Sequence, residues 1–203
     1  MMSMRVLVAC EYSGVVRDAF LAAGHYAMSC DLLPCESGAS GDHYQGNVLD
    51  VLDHGWDLMV AHPPCTYLSV SGMHWTARGL RDPQLTEDAL AFVQMLMDAP
   101  IKRIAIENPI SVISSRIRKP DQIIQPWQFG HDASKKTCLW LQNLPALVPT
   151  KIIEPRIVNG RSIWGNQTPS GQNKLGPSAD RWKIRSATYT GIAQAMASQW
   201  SDK

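Results

Sequence analysis

No apolar run in this chain of 203 residues is long enough to cross a bilayer. The opening MMSMRVLVAC has no signal-peptide layout, because it leads straight into a strand-like segment. Finger-like cysteine spacing is missing as well. The five cysteines, Cys10, Cys30, Cys35, Cys65 and Cys138, are odd in number, which argues against a disulfide frame or a zinc site and for a reducing, cytoplasmic setting. Charge is sparse, at 18% of residues against 45% hydrophobic, and there is no internal repeat or low-complexity tract. What remains is an ordinary soluble globular chain with one full core and room for a small appendage.

A net charge of +1 conceals an asymmetry. The first hundred residues hold four basic residues (Arg5, Arg17, Arg78, Arg81) against twelve acidic ones, a balance of −8. The rest hold fifteen basic and six acidic residues, a balance of +9. The second half is either suited to an anionic partner such as a phosphate backbone, or the basic part of an internally complementary, dipolar surface.

The hydrophobic pattern alternates between strand and helix. RVLVAC (Arg5 to Cys10) is a short β-branched run of the buried parallel type. VVRDAFLAAG follows with Val16, Phe20 and Ala23 on one face and Gly24 as its stop. YAMSCD and DLMVAH (Asp57 to His62) read as further strands. TEDALAFVQMLMDAP reads as a helix capped by Thr86, with Ala89, Leu90, Val93, Leu96 and Met97 apolar on one side. RIAIE (Arg103 to Glu107) and TCLWL (Thr137 to Leu141) complete the strands. Such alternation predicts an α/β, doubly wound, mostly parallel sheet with helices on both faces. Past Pro145 the texture turns to Pro, Gly, Asn and Ser without a sustained period, which predicts an irregular segment or small β-ribbon over 149–186. Residues 187–203 then close the main α/β unit of 1–148 with a helix carrying Ile192, Ala195, Met196 and Gln199 on one side.

In doubly wound sheets ligands bind beyond the carboxyl ends of the strands. Those ends carry Cys10 and Glu11, Asp31, His62 to Cys65, and Glu107 with Asn108. Cys65 follows two prolines at the point where an apolar run gives out. It is either a small buried hydrophobe or a presented nucleophile. Pro63 and Pro64 favour the second, because they stiffen the backbone and remove two N–H donors. Glu107 ends a strand too apolar for the surface, so its carboxylate is either ion-paired or functional. The turn CEYSGVVRD has only Gly14 to cradle a nucleotide, and Asp31 is either a loop cap or an acid that grips ribose hydroxyls. Lys135 and Lys136, with Trp127, Trp164 and Trp182 expected exposed in the same basic half, are either a solvated face or a backbone-and-base contact surface.

Taken together these residues resemble the DNA cytosine-C5 methyltransferases, which use S-adenosyl-L-methionine. PPCTYLSVSG (Pro63 to Gly72) resembles the family's Pro-Cys catalytic loop, and IENP (Ile106 to Pro109) its Glu-Asn-Val motif. CEYSGVVRDAF stands where the family has its Phe-x-Gly-x-Gly cofactor loop, and GNVLD (Gly46 to Asp50) at a Gly-Asp-Ile motif. The resemblance implies a Rossmann-like methyltransferase sheet and an enzyme. It implies Cys65 as the thiolate that adds to cytosine C6 and Glu107 as the group at N3. It assigns Cys10, Glu11, Tyr12, Ser13, Gly14, Asp31, Leu32, Asn47, Val48 and Pro64 to the cofactor. It assigns Pro63, Ser69, Asn108, Lys135 and Lys136 to the substrate.

Three departures stand out. The cofactor loop has fewer glycines and an extra acid, Glu11. The family's Gln-x-Arg-x-Arg positions read Ala133, Lys135 and Thr137. Only about Thr150 to Arg185 is available for sequence recognition. The resemblance therefore implies a compact enzyme of relaxed or very short sequence preference, of the kind that suits a phage or prophage, with DNA as its partner. Two alternatives stay open at this level: the same chemistry on single-stranded nucleic acid, RNA or a free cytosine nucleotide, and a non-catalytic binding protein on the same fold.

Overall fold

The computed structural model describes residues 3–201. Its centre is a seven-stranded sheet in the order β3-β2-β1-β4-β5-β7-β6. The strands are β1 (Arg5–Ala9), β2 (Tyr26–Asp31), β3 (Asp42–Gln45), β4 (Leu58–Ala61), β5 (Arg103–Pro109), β6 (Gln122–Ile124) and β7 (Thr137–Gln142). β1 to β5 are mutually parallel, whereas β7 runs antiparallel to both β5 and β6.

Burial on both faces explains why β1 and β4 read as unbroken apolar runs. Val6 and Val8 join Leu58, Val60 and Ala105 on one face, under α1 (Val15–Ala22) and α6 (Thr190–Gln199). Leu7 and Ala9 join Met59, Ala61, Ile104 and Ile106 on the other, under Leu90, Val93 and Leu96 of α3 (Gln84–Met97). Each fully buried side chain of this kind contributes about 1.5–3 kcal/mol relative to exposure. The doubly wound, Rossmann-like arrangement expected from the sequence is present.

Some local expectations need correction. Thr86 does not cap α3; the helix begins at Gln84, and buried Thr86 turns its hydroxyl onto the Tyr67 carbonyl at 3.2 Å. Asp82 and Pro83 open the turn instead, with Asp82 accepting from the Gln84 N–H. TCLWL is a strand, but an antiparallel one. Four elements had no clear sequence signal: β3, β6, α2 (Val70–Ala77) and α4 (Ile113–Arg116). Within 149–186 lie the two-stranded ribbon β8 (Arg156–Val158) and β9 (Arg161–Ile163), and α5 (Arg181–Ser186). Among the described residues no helix is long and apolar enough to cross a membrane.

Candidate active site

The parallel strands β1, β2, β4 and β5 bring their carboxyl ends to one rim. The sheet order changes direction between β1 and β4, which opens the crevice where such folds bind ligands. At that switch point the His62 N–H donates to the Ala9 carbonyl at 2.9 Å, so the end of β4 is stitched to the end of β1.

On the β1–β2 side the chain leaves β1 through Cys10 at φ 58°, a left-handed conformation costly for a residue with a Cβ. Gly14 (φ 72°) opens α1, and the next loop crosses so closely that a Cβ there would stand 2.6 Å from Ser37 Cβ. Glu11 is buried, and its carboxylate accepts from the Val16 N–H at 2.7 Å and the Arg17 N–H at 3.2 Å. An acidic group thus already fills part of the positive end of α1. Ser13 donates to the same carboxylate at 3.3 Å. Asp31 is half-buried and takes the Leu33 N–H on Oδ1, while Leu32 beside it is 73% exposed. Asn47 is exposed and takes the Leu49 N–H, and Val48 is buried beneath it. Burial, then the charges of Asp31 and Cys30, push the Cys10 thiol up to about 12.

Residues that could hold a nucleoside line this rim. Asp31 offers a carboxylate for ribose hydroxyls, Leu32 an exposed apolar surface, and Glu11 a second negative charge near a cation. Glu11 also occupies backbone amides at the start of α1 that would otherwise be free to receive an anion.

On the β4–β5 side the Pro-Pro-Cys loop is held from three directions. Buried Asn108 donates from Nδ2 to the Pro63 carbonyl at 2.8 Å. The Leu68 and Ser69 N–H groups fold back onto the Cys65 carbonyl, and the loop pairs with Ile110 to Val112 through Val70 N–H and Leu68 carbonyl contacts. Arg81 stacks over Tyr67 and donates to the Thr66 carbonyl. With Leu68 fully buried as the anchor, Cys65 is left exposed. The loop and strand ends crowding Cys65 still remove enough water to push its thiol up, aided by the Glu107 charge. The loop amides, Lys135 and Arg185 pull the other way.

Glu107 sits on the same rim with little exposure, and His62 Nδ1 lies 3.0 Å from its Oε2. Burial pushes the Glu107 carboxyl up, but the His62 hydrogen bond and charge, then Lys135 and the Thr137 hydroxyl, hold it below the usual carboxylate range. Burial likewise lowers His62, and Glu107 more than offsets that, so the imidazole is raised. Thr188, Tyr189 and Ile192, at the start of α6, close the far side of Glu107 together with Lys135 and Thr137.

No protein-family model matches the sequence, and no curated protein sequence matches it. Solved structures do align with it. Dnmt2 methyltransferase of S. pombe is 18% identical with a TM-score of 0.45, covering 70% of this chain and 50% of that one. Entamoeba histolytica methyltransferase EhMeth is 15% identical with a TM-score of 0.48, over 76% and 59%. A Spodoptera frugiperda DNMT2 mutant is 13% identical with a TM-score of 0.45, over 79% and 57%. The chain thus spans little more than half the length of these proteins. At these values the likeness carries no argument about chemistry, which rests on the site itself.

Of the residues singled out in the sequence, Cys65, Glu107, Pro63, Asn108 and Lys135 gather at the β4–β5 end. Cys10 to Gly14, Asp31, Leu32, Asn47 and Val48 gather at the β1–β3 end, with exposed Pro64 on the Cys65 loop. Ser69 opens α2 and bridges to Ser111. Lys136 is exposed, while Lys135 reaches the Ala187 carbonyl at 3.4 Å. Trp127 and Trp164 are not free platforms, because they stack on each other at 5.7 Å; Trp182 alone of the three is half exposed. Three contributors escaped the sequence reading: His62, Thr137 and Arg185. His62 was visible only as a strand end, and nothing in the spacing tied it to Glu107. Arg185 belongs to α5, which docks on the β1–α1 turn through Tyr12, whose hydroxyl bonds Ser186 and whose ring lies 5.7 Å from Trp182.

Proposed function

We propose that the protein is an S-adenosylmethionine-dependent methyltransferase that modifies C5 of cytosine in DNA. The observation that carries this reading is an exposed cysteine, rigidly mounted after two prolines, on the same rim as a largely buried glutamate at the neighbouring strand end.

When bound, S-adenosylmethionine supplies an electrophilic methyl group, with Asp31, Leu32, Asn47 and the Cys10–Gly14 turn as the residues to hold it. The chain's own groups make cytosine able to accept it. Cytosine C5 is a poor nucleophile. The Cys65 thiolate adds to C6, forming an S–C6 bond, and the C5–C6 π pair becomes available at C5. Glu107 at N3 keeps negative charge from accumulating in the ring. After methylation C5 loses its proton to water, and the electrons of that C–H bond restore the double bond and expel Cys65. Asn108 and the paired segment 110–112 hold the loop in place, since misplacement by about 1 Å can cost on the order of a hundredfold in rate. In duplex DNA the base must first leave the stack, a cost of a few kcal/mol.

The basic second half supports a polymeric substrate, and residues 149–186, with the ribbon and α5, would be the recognition surface within this sequence. So small a surface supports short or relaxed sequence preference. The test is transfer of label from methyl-tritiated S-adenosylmethionine to duplex DNA, single-stranded DNA, RNA and dCMP in parallel, followed by digestion. Label recovered from DNA as 5-methylcytosine is the expected result. Label only in RNA or dCMP would move the substrate, and label at any position other than C5 would overturn the cysteine mechanism.

A further inference from the structure

We propose that His62 is the positioning residue of Glu107, and that the two side chains form one proton-holding pair which presents the proton that cytosine N3 takes up during attack. The inference rests on the methyl-transfer reading above and adds to it a residue that the sequence pattern does not assign.

The geometry is specific. His62 leaves the end of β4 and Glu107 the end of β5, and their side chains meet at 3.0 Å through Nδ1 and Oε2 with little exposure of either. Backbone bonds fix both ends: His62 N–H to the Ala9 carbonyl, and Pro63 carbonyl to Asn108 Nδ2. The second ring nitrogen, Nε2, is buried with no partner among the described residues.

Proton accounting follows from this arrangement. With zero net charge the pair is either imidazolium with carboxylate or imidazole with carboxylic acid. In the second form Nδ1–H still donates to Oε2, and the transferable proton is on Oε1. Nε2 lacks a partner in either form, and the raised His62 with the lowered Glu107 makes the first form the one held without a base in place. A cytosine N3 beside Oε1 supplies an acceptor only for the second form. As Cys65 adds to C6, N3 takes that proton and the pair becomes imidazole with carboxylate. When Cys65 leaves, N3 returns the proton to Oε1. No external acid is consumed.

Other groups bias the pair. Glu11, from the β1–α1 turn, favours holding the proton, while Lys135, at the entry to β7, opposes it. The Thr137 hydroxyl, Cys65 and Cys138 face Glu107. Where the resembled family carries two arginines this chain has Lys135 and the uncharged Thr137, which leaves His62 and Lys135 as the cations beside Glu107. Lys135 also reaches toward the Ala187 carbonyl, so His62 is the one bonded to Glu107 in the described structure.

The experiment has two arms on the full-length chain. In the first, the pH profile of methyl transfer is compared between wild type and His62→Gln, which keeps an N–H donor but holds no exchangeable proton. Wild-type kcat is expected to fall as pH rises past the titration of the pair. In His62→Gln that alkaline fall moves to lower pH, and kcat at pH ~8 drops about a hundredfold, within the usual worth of a positioned acid, while KM for DNA changes little. A loss of equal size at every pH, with the profile unmoved, would mean a merely structural histidine and would overturn the proposal. The second arm needs no turnover. In ¹⁵N-imidazole NMR, His62 should titrate above its ordinary value and move down in Glu107→Gln. A His62 that titrates at its ordinary value, unaffected by Glu107→Gln, would overturn the pair itself. If the wild-type chain methylates nothing, the transfer reading fails and the N3 role with it, whatever the NMR arm reports about the pair.

Discussion

Replacing Asn108 by alanine removes a single hydrogen bond, yet it should damage both stability and rate. Asn108 is buried, and its Nδ2 is the donor to the Pro63 carbonyl at 2.8 Å. Its Oδ1 has no partner among the described residues, so little else is lost on truncation. The Pro63 carbonyl is left unpaired in a dry place, where the penalty is about 1–3 kcal/mol. For a chain of this size that lowers Tm by about 2–12 °C. Pro63 lies two residues before Cys65, so the released loop also shifts the sulfur, and a displacement of ~1 Å lowers kcat about a hundredfold. Thermal melts and tritium transfer to duplex DNA measure the two effects separately. The iodoacetamide alkylation rate of exposed Cys65 reports the loop movement independently. Unchanged Tm with transfer within twofold of wild type would refute the claim that this bond mounts the catalytic loop.

Cys65→Ser should abolish methyl transfer while leaving S-adenosylmethionine affinity by calorimetry nearly intact, since the sulfur acts on the base. Gly191→Ala should lower Tm, because the added Cβ would lie 1.9 Å from the Phe129 carbonyl oxygen, an overlap beyond the usual 1–3 kcal/mol cost of overpacking. Gly176→Ala, which meets nothing within 4 Å, is the control and should melt with the wild type. Stability should also depend on the His62–Glu107 pair in a defined window. His62 is raised, so its contribution is complete below its ordinary value of 6.5 and is lost as pH rises through its folded value. Glu107 is lowered, so its contribution is complete above its ordinary 4.5 and is lost as pH falls through its folded value. Urea melts should therefore show a stability maximum between these two values that flattens in His62→Gln. Finally, if DNA is the partner, log binding constant should fall linearly with log salt, with a slope set by the phosphates contacted; a slope near zero would point to a mononucleotide instead.

Much of the fold could be read from local pattern. β1, β2, β4 and β5 are apolar because both faces of the sheet are covered, and that produces runs such as RVLVA and LMVA that need no tertiary knowledge to recognise. The helices α1, α3 and α6 carry their apolar faces at helical spacing for the same reason. Parallel strands then force their carboxyl ends onto one rim, which is why Cys65 and Glu107 could be paired before any coordinates. Short elements were not legible: β3 (DHYQ) and β6 (QII) are held by neighbours rather than by their own hydrophobicity, and their burial is partial. The direction of β7 was not legible either, because antiparallel and parallel buried strands share one composition. What the tertiary structure alone decided is the immediate surroundings of Cys65 and Glu107. His62 meets Glu107, Asn108 holds Pro63, and Arg185 of α5 approaches Cys65 only because residues 45 or more positions apart are brought together by strand register and helix docking. Sequence spacing carries the periodicity of an element, but it carries no term for which side chains face each other across two strand ends.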